Sequence, residues 1–269
     1  MTPRQFQSRQ RGISRRITTL VRRLFLLQGA PASEAERVAL ALSMYPLVQR
    51  ERNESFRFAM AMLQHEARRL GVELRLPQQR PYTVDALVKV LERATGVGEA
   101  PKVEVRVLDP VTQRRSRQRV TVLESNRRDP VVVRQVSDRA AATVTRHAQQ
   151  AGREAVVDAA NASGPIVGWA RVLSGSENCA FCAMLASRGG VYASEHVAKY
   201  RNIAGTDTFH DSCDCQIIPV RKGADWQGKA ESERLSRLWA SSTRGKRGKN
   251  AVAAFSKAWK QDQAAQVAA

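Results

Sequence analysis

The sequence predicts an α+β fold that is predominantly helical, with a β-hairpin near residues 102–123 and a small domain held together by a cysteine–histidine cluster. Three observations support this prediction. Long segments carry apolar residues at helical spacing, two short stretches near 102–123 alternate apolar and polar residues, and all four cysteines lie between 179 and 215. A hydrophobic content of 43% over 269 residues suffices for a buried core without disulfides.

The first predicted element is a basic amphipathic helix. Residues 1–33 contain seven arginines and no acidic residue, and apolar residues recur at helical spacing over 13–27. This helix either docks on its domain with a solvated arginine face or also contacts phosphate groups. The arginines that would make phosphate contacts are Arg15, Arg16, Arg22 and Arg23.

Two more helices and a strand are predicted next. Ser33 and Glu36 form a capping box that starts a second helix. Pro46 suits the first turn of a third helix, which would run to about Leu70. The alternation of apolar residues over 72–76 then predicts a short strand.

The middle of the chain predicts a helix over 83–94, ended by Gly96, and then a hairpin from the alternating stretches 103–107 and 120–122. The hairpin carries a basic run that either contacts DNA or protects an exposed edge strand against aggregation. That run consists of Arg114, Arg115, Arg117 and Arg119.

The second half predicts a long helix over 131–160, and helical pieces around 231–240 and 251–263. The basic hexamer 244–249 between the last two is either a flexible linker or a loop that contacts phosphate through Lys246, Arg247 and Lys249. Composition therefore divides the chain into four segments: a helical region (1–75), a mixed segment with the hairpin (76–130), a Cys/His domain (131–222) and a basic helical tail (223–269).

The charge of the chain indicates a polyanionic partner. Lys and Arg number 44 against 25 Asp and Glu, which gives a net charge of +19. Such a balance points first to nucleic acid and second to an acidic membrane. Four arginines interrupt the most apolar early stretch, 13–27, so neither a membrane span nor a signal peptide is predicted there. We therefore expect no membrane partner and a protein made and kept in a cytoplasm.

The cysteines and one histidine show metal-ligand spacing. A C-x2-C pair at 179–182 is followed by H-x2-C-x-C at 210–215. Zinc takes four N or S ligands, so we expect one structural zinc ion that holds this region together. Five candidates compete for four places: Cys179, Cys182, His210, Cys213 and Cys215. Two alternatives remain, namely reduced and buried thiols, or a redox pair formed by the first two cysteines.

Signatures of catalysis are lacking. The sequence contains no H-E-x-x-H helix, no deaminase arrangement, no phosphate-binding glycine loop and no G-x-S-x-G motif. We therefore expect no enzymatic activity and no catalytic residue.

A long motif around the cysteines resembles the MuF-like minor capsid proteins of tailed bacteriophages, in the form found in phages of actinobacteria. The resemblance rests on GWARV at 168–172, CAFCAMLASRG at 179–189, FHDSCDC at 209–215 and PV at 219–220. It implies a role in head assembly and in DNA packaging or ejection, at low copy number inside the capsid near the portal, with assembly in the host cytoplasm. The implied partners are the portal or the major capsid protein, and packaged double-stranded DNA bound without sequence preference.

The main competing hypothesis is a sequence-nonspecific nucleic-acid-binding protein whose zinc module touches the duplex. A zinc module that reads bases presents polar residues on a helix directly after its second ligand. Here residues 183–186 are apolar, so the cysteine site is expected to be buried in its own domain.

Overall fold

The computed structural model describes residues 1–108, 113–162, 168–173, 178–190, 215–221 and 223–268. Helices predominate in this part of the chain, and the strands form two antiparallel pairs. The helices are α1 (Pro3–Gln28), α2 (Glu34–Leu70), α3 (Val84–Thr95), α4 (Pro130–Ala162), α5 (Ala180–Ala186), α6 (Lys229–Ser242) and α7 (Gly248–Ala268). The strands are β1 (Lys102–Leu108), β2 (Arg115–Thr121), β3 (Gly168–Val172) and β4 (Gln216–Val220).

The chain divides into two compact units, each assembled from separate stretches of sequence. We call Gly12–Phe56 with Gln79–Ala151 the hairpin unit, because it contains β1 and β2. We call Met1–Arg11, Arg57–Gln78 and Gly152–Ala269 together the cysteine unit. The long helices α1, α2 and α4 each contribute residues to both units.

The hairpin unit packs the apolar faces of its helices into a buried core. Its fully buried side chains include Ile17 and Phe25 of α1, Val48 of α2 and Leu91 of α3. Their helical spacing along α1 is the pattern that predicts the amphipathic helix.

The helix ends in this unit follow local capping chemistry. Thr83 precedes α3 and accepts a hydrogen bond from the amide of Ala86 at 3.2 Å. Gly96 ends α3 with φ 88°, a backbone conformation that glycine adopts at little cost. Ser33 and Glu36 make the capping interactions at the start of α2, since the Ser33 hydroxyl accepts from the Glu36 amide.

The β1–β2 hairpin has a fixed register that sorts its side chains onto two faces. Val103 pairs with Val120, and Val105 pairs with Gln118, so these residues share the inner face, on which both β1 valines are buried. The outer face carries the alternate positions of both strands. Its residues are Lys102, Glu104, Arg106, Leu108, Arg115, Arg117, Arg119 and Thr121.

The cysteine unit contains the β3–β4 pair and a small helical core. Every residue of β4 is buried, and Trp169 of β3 lies opposite Pro219. Phe255 and Trp259 of α7 pack with α5 and α6 in one apolar cluster. The unit also joins residues far apart in sequence, because the Gln227 side-chain amide donates to Gln7 Oε1 at 3.1 Å across 220 residues.

Two sequence expectations are wrong. Pro46 does not begin a helix but lies inside α2, which runs unbroken for 37 residues. Met44 and Val48 are fully buried on either side, and Leu42, whose carbonyl loses its partner, is exposed to water. Residues 72–76 form no strand, and only Leu74 among the three alternating apolar residues is buried. The predicted α1, α3, β-hairpin, long α4 and two C-terminal helices are confirmed.

Candidate metal centre and basic surfaces

The C-x2-C pair lies at the start of the short helix α5. Cys179 is the N-cap residue of that helix, and its sulfur accepts a hydrogen bond from the Cys182 amide at 3.3 Å. Cys182 is buried one turn further on. The spacing places both sulfurs at one end of α5, where backbone amides favour a negatively charged group.

Cys215 meets this helix from the start of β4. The Cys182 and Cys215 sulfurs are 3.4 Å apart, and both residues are buried. A disulfide bond would require about 2.05 Å. Two thiolates on one tetrahedral zinc, each at about 2.3 Å, lie about 3.8 Å apart. The two sulfurs therefore form no disulfide bond, and their spacing is close to that of zinc ligands.

A buried arginine contacts the same sulfur. Arg171 of β3 is only 2% exposed, and its Nη1 donates to Cys215 Sγ at 3.2 Å. The antiparallel pairing of β3 with β4 brings the two residues together. Guanidinium hydrogen bonds are strongest to ionised acceptors, so the contact suits a thiolate at Cys215.

The donor set fits zinc in part. Cys182 and Cys215 offer two buried sulfurs at suitable spacing, and the Cys179 sulfur accepts a hydrogen bond from the Cys182 amide at 3.3 Å. His210 and Cys213 fall outside the residues that the structure describes. Within the described ranges, no group of three His, Cys, Asp or Glu side chains is close enough to hold a metal ion.

The residues after the second cysteine are buried. Residues 183–186 of α5 belong to the apolar cluster that also contains Leu235 and Phe255. This confirms the expectation that the apolar sequence after Cys182 turns inward. In the described residues α5 therefore offers no polar surface of the kind that reads bases.

The four arginines predicted to contact phosphate on α1 are all exposed, but two of them pair with acids. Arg16 bonds the buried carboxylate of Glu51 and also reaches Glu54. The hydrogen bond to Glu51 raises the pKa of Arg16 above its ordinary value. Arg22 pairs with Asp138 at 2.9 Å. No such ion pair joins Arg15 or Arg23 to another described residue.

The basic segment at the start of α7 lies on the surface. Lys246, Arg247 and Lys249 are all exposed. Their only polar side-chain contact within the described residues is a weak one, from Lys246 Nζ to the Ser242 carbonyl at 3.4 Å. These three cations are thus available to a partner, and the prediction that they contact phosphate stands as a prediction.

A further basic surface lies on the outer face of the hairpin, which contains most of the basic run 114–119. Its cations come from both strands, and we call them the hairpin basic face: Lys102, Arg106, Arg115, Arg117 and Arg119. The signal in the sequence is that Arg115, Arg117 and Arg119 occupy every second position of β2, which places them on one side.

No helix in the described part of the chain has the length and apolar character needed to cross a bilayer.

Comparison with known proteins links the chain to bacteriophages. A family model described as VG15 protein matches residues 2–242. The Gene 15 protein of Mycobacterium phage D29 is 37% identical over 35% of this chain and 44% of its own length. The Gene 15 protein of Mycobacterium phage L5 is 29% identical over 37% of this chain and 45% of its own length. The chain thus matches less than half the length of either relative. No solved structure matches it significantly.

Proposed function

The chain belongs to the VG15 protein family and is a bacteriophage protein, and on this premise we propose that it is a minor capsid protein inside the phage head, near the portal. The observation that carries the proposal is the family match over residues 2–242, together with phage relatives. The motif at 168–220, which resembles MuF-like minor capsid proteins, supports the finer assignment.

The charge of the chain supports contact with packaged DNA. A protein enclosed with DNA meets phosphate at high density, and a net charge of +19 binds it through counterion release without reading bases. We propose Arg15, Arg23 and the exposed cations of 246–249 as contributors. The portal or the major capsid protein would be the protein partner.

We further propose that zinc holds the cysteine region together. Cys182 and Cys215 supply two sulfurs, Cys179 is adjacent, and His210 or Cys213 would complete four ligands. The metal would act as a structural bridge between α5 and β4. Arg171 would hold the Cys215 sulfur in place through its hydrogen bond.

The alternative, a nucleic-acid-binding protein whose zinc module touches DNA, has less support. Such a module needs a polar helix after its second ligand, whereas residues 183–186 pack in an apolar core. The cysteine cluster therefore fits a structural role better than a DNA-reading role.

Protein identification in gradient-purified particles tests the proposal. We expect the chain in virions at low copy number, resistant to protease in intact particles and digested once the particles are opened. Phage that lack the gene should still assemble heads but should be less infectious. Recovery only from the soluble host fraction, and never from procapsids or virions, would refute the assignment to the head.

A further inference from the structure

The hairpin basic face concentrates positive charge on one side of a two-stranded sheet. Of the eight residues on the outer face of the hairpin, these five are cations and one, Glu104, is an acid. Glu104 lies 3.5 Å from Arg117 and thus offsets only one of the five charges. Lys102, Arg106, Arg115 and Arg119 are exposed and make no ion pair with any described residue.

This arrangement opposes the stability of the hairpin. Arg106 lies directly opposite Arg117 in the register, and like charges in such cross-strand positions repel each other. The repulsion is relieved when an anion binds between the two side chains. The pairing therefore points to a ligand rather than to an internal structural role.

Protection of an edge strand does not account for the whole face. α4 already covers the outer edge of β1, since the Gln135 side-chain amide donates to the Arg106 carbonyl and accepts from its amide, both at 2.7 Å. The Arg139 guanidinium also donates to the Glu104 carbonyl. The edge of β2 remains open, and one or two charges on β2 would be enough to prevent another strand from pairing there. Lys102 and Arg106 lie on β1, whose edge is already covered, so edge protection does not explain their charges.

Two clefts extend the positive surface beyond the hairpin. One, of about 830 Å³, lies between β1, β2 and α4 and is lined by Arg106, Arg115 and Arg134. Its acid, Asp138, is already paired with Arg22. The other, of about 340 Å³, contains cations of both strands and of α3 and α4: Lys102, Arg119, Arg93 and Arg139. The cations thus form a continuous basic surface within the hairpin unit.

We propose that this surface binds the phosphate backbone of duplex DNA, as a specific site for the DNA contacts in the proposed function, on which it rests. Successive arginines on β2 are about 6.8 Å apart, and a duplex presents a phosphate charge about every 1.7 Å along its axis. Each arginine can therefore lie next to a phosphate, to which its planar guanidinium group can donate two hydrogen bonds. A two-stranded ribbon is also an element that duplex grooves accommodate.

Other polyanions fit this surface less well. The face carries no aromatic side chain, so it offers no platform on which single-stranded bases could stack. Its one exposed large apolar residue is Leu108, which is too little to insert into a lipid surface. Duplex DNA fits the face best, because its phosphates lie closely spaced along the backbone and their recognition requires neither aromatic nor apolar side chains.

Salt-dependent binding of the full chain to a mixed-sequence duplex tests the site. In the variant Arg115→Gln/Arg117→Gln/Arg119→Gln, three lost phosphate contacts should lower the slope of log affinity against log salt by about 2.7. Between about 50 and 200 mM salt, the affinity of the wild type should then fall about 40-fold more than that of the variant. Unchanged circular dichroism and thermal midpoint establish that the variant is folded.

A matched variant controls for net charge. Arg57→Gln/Arg68→Gln/Arg75→Gln removes the same charge from exposed arginines that lie outside the hairpin unit. It should change the slope by less than one contact, about 0.9. The single variant Arg134→Gln should lower the slope by about 0.9, since that residue lines the larger cleft.

Three outcomes would overturn the proposal. The first is an equal slope change in the hairpin and control variants. The second is tighter binding to single strands than to a duplex of equal charge, and the third is equally tight binding to polyglutamate. Any of these results would refute the DNA-binding site on the hairpin. The proposed location inside the phage head is tested separately, by detection of the chain in particles, and would stand if the chain is found there.

Discussion

The arginines of α1 should separate into two functional pairs. Arg16 and Arg22 pair with acids, whereas Arg15 and Arg23 lack an ion pair with any described residue. The variants Arg16→Gln/Arg22→Gln and Arg15→Gln/Arg23→Gln remove the same charge from the same helix. We expect the first to lower stability and the second to lower DNA affinity.

The stability cost of the first variant follows from the burial of Glu51. That carboxylate has no exposed surface and accepts from Arg16 Nε at 2.8 Å. Removing one partner of a fully buried ion pair costs about 3–5 kcal/mol, but Arg16 is 44% exposed and solvent screens part of the interaction. We therefore expect a loss of about 2–3 kcal/mol, to which the exposed Arg22–Asp138 pair adds at most about 1 kcal/mol.

The second variant should leave the fold intact. Substitutions at exposed, unpaired positions change the free energy of unfolding by no more than about 0.5 kcal/mol. If Arg15 and Arg23 each contact one phosphate, the slope of log affinity against log salt falls by about 1.8. The first variant should show the wild-type slope wherever it is folded.

Urea denaturation measures the first effect, and fluorescence anisotropy with labelled duplex DNA measures the second. Equal slope changes in the two variants would show that the internal ion pairs do not decide which arginines meet DNA. Equal stability losses would show that Glu51 does not depend on Arg16.

Three further predictions follow from the site and the core. Purified protein should contain about one zinc ion per chain, and removal of the metal by a chelator should unfold the region 166–222. Metal analysis and thiol titration measure these two effects. Native protein that contains no metal and whose thiols all react would contradict the prediction. Zinc content should fall when Cys179, Cys182 or Cys215 is replaced by Ser, since these three supply the proposed sulfur ligands. Burial raises the pKa of Tyr82 to about 12 from an ordinary value near 10, so ionisation of the unfolded chain should lower the free energy of unfolding by about 3 kcal/mol as the pH rises from about 10 through about 12. Tyr82→Phe should abolish this alkaline loss in denaturation curves without cost at neutral pH, because the hydroxyl is buried without a hydrogen-bond partner among the described residues. Phe255→Ala should destabilise the cysteine unit by about 3–5 kcal/mol in thermal unfolding, whereas the exposed Val252→Ala should be nearly neutral.

Local signals predict much of the helical fold. Ser33 and Thr83 act as caps, and Gly96 ends α3, because each acts on backbone groups within one helical turn. The prediction from Pro46 is wrong because distant contacts outweigh its local effect. Its local effect is a lost hydrogen bond, which the burial of Met44 and its neighbours outweighs, and that burial depends on distant residues.

The pairing of β3 with β4 is not predicted from the sequence. β3 and β4 are five residues each, and β4 contains Pro219, so neither has the length or alternation of an obvious strand. Their pairing places Arg171 against Cys215, a contact that no spacing rule indicates. The C-x2-C spacing did predict that cysteines from separate segments converge, and Cys182 does approach Cys215.

The discontinuous make-up of the two units has a consequence for the order of folding during synthesis. All residues of the hairpin unit have been synthesised once Ala151 is translated, whereas the cysteine unit requires Met1–Arg11, Arg57–Gln78 and the C-terminal stretch Gly152–Ala269. The hairpin unit can therefore fold cotranslationally. The Gln7–Gln227 contact forms only after nearly the whole chain is made, and such high contact order slows folding. Pulse-labelled nascent chains should accordingly acquire protease resistance in the hairpin unit first, and thiol protection of Cys182 only after release.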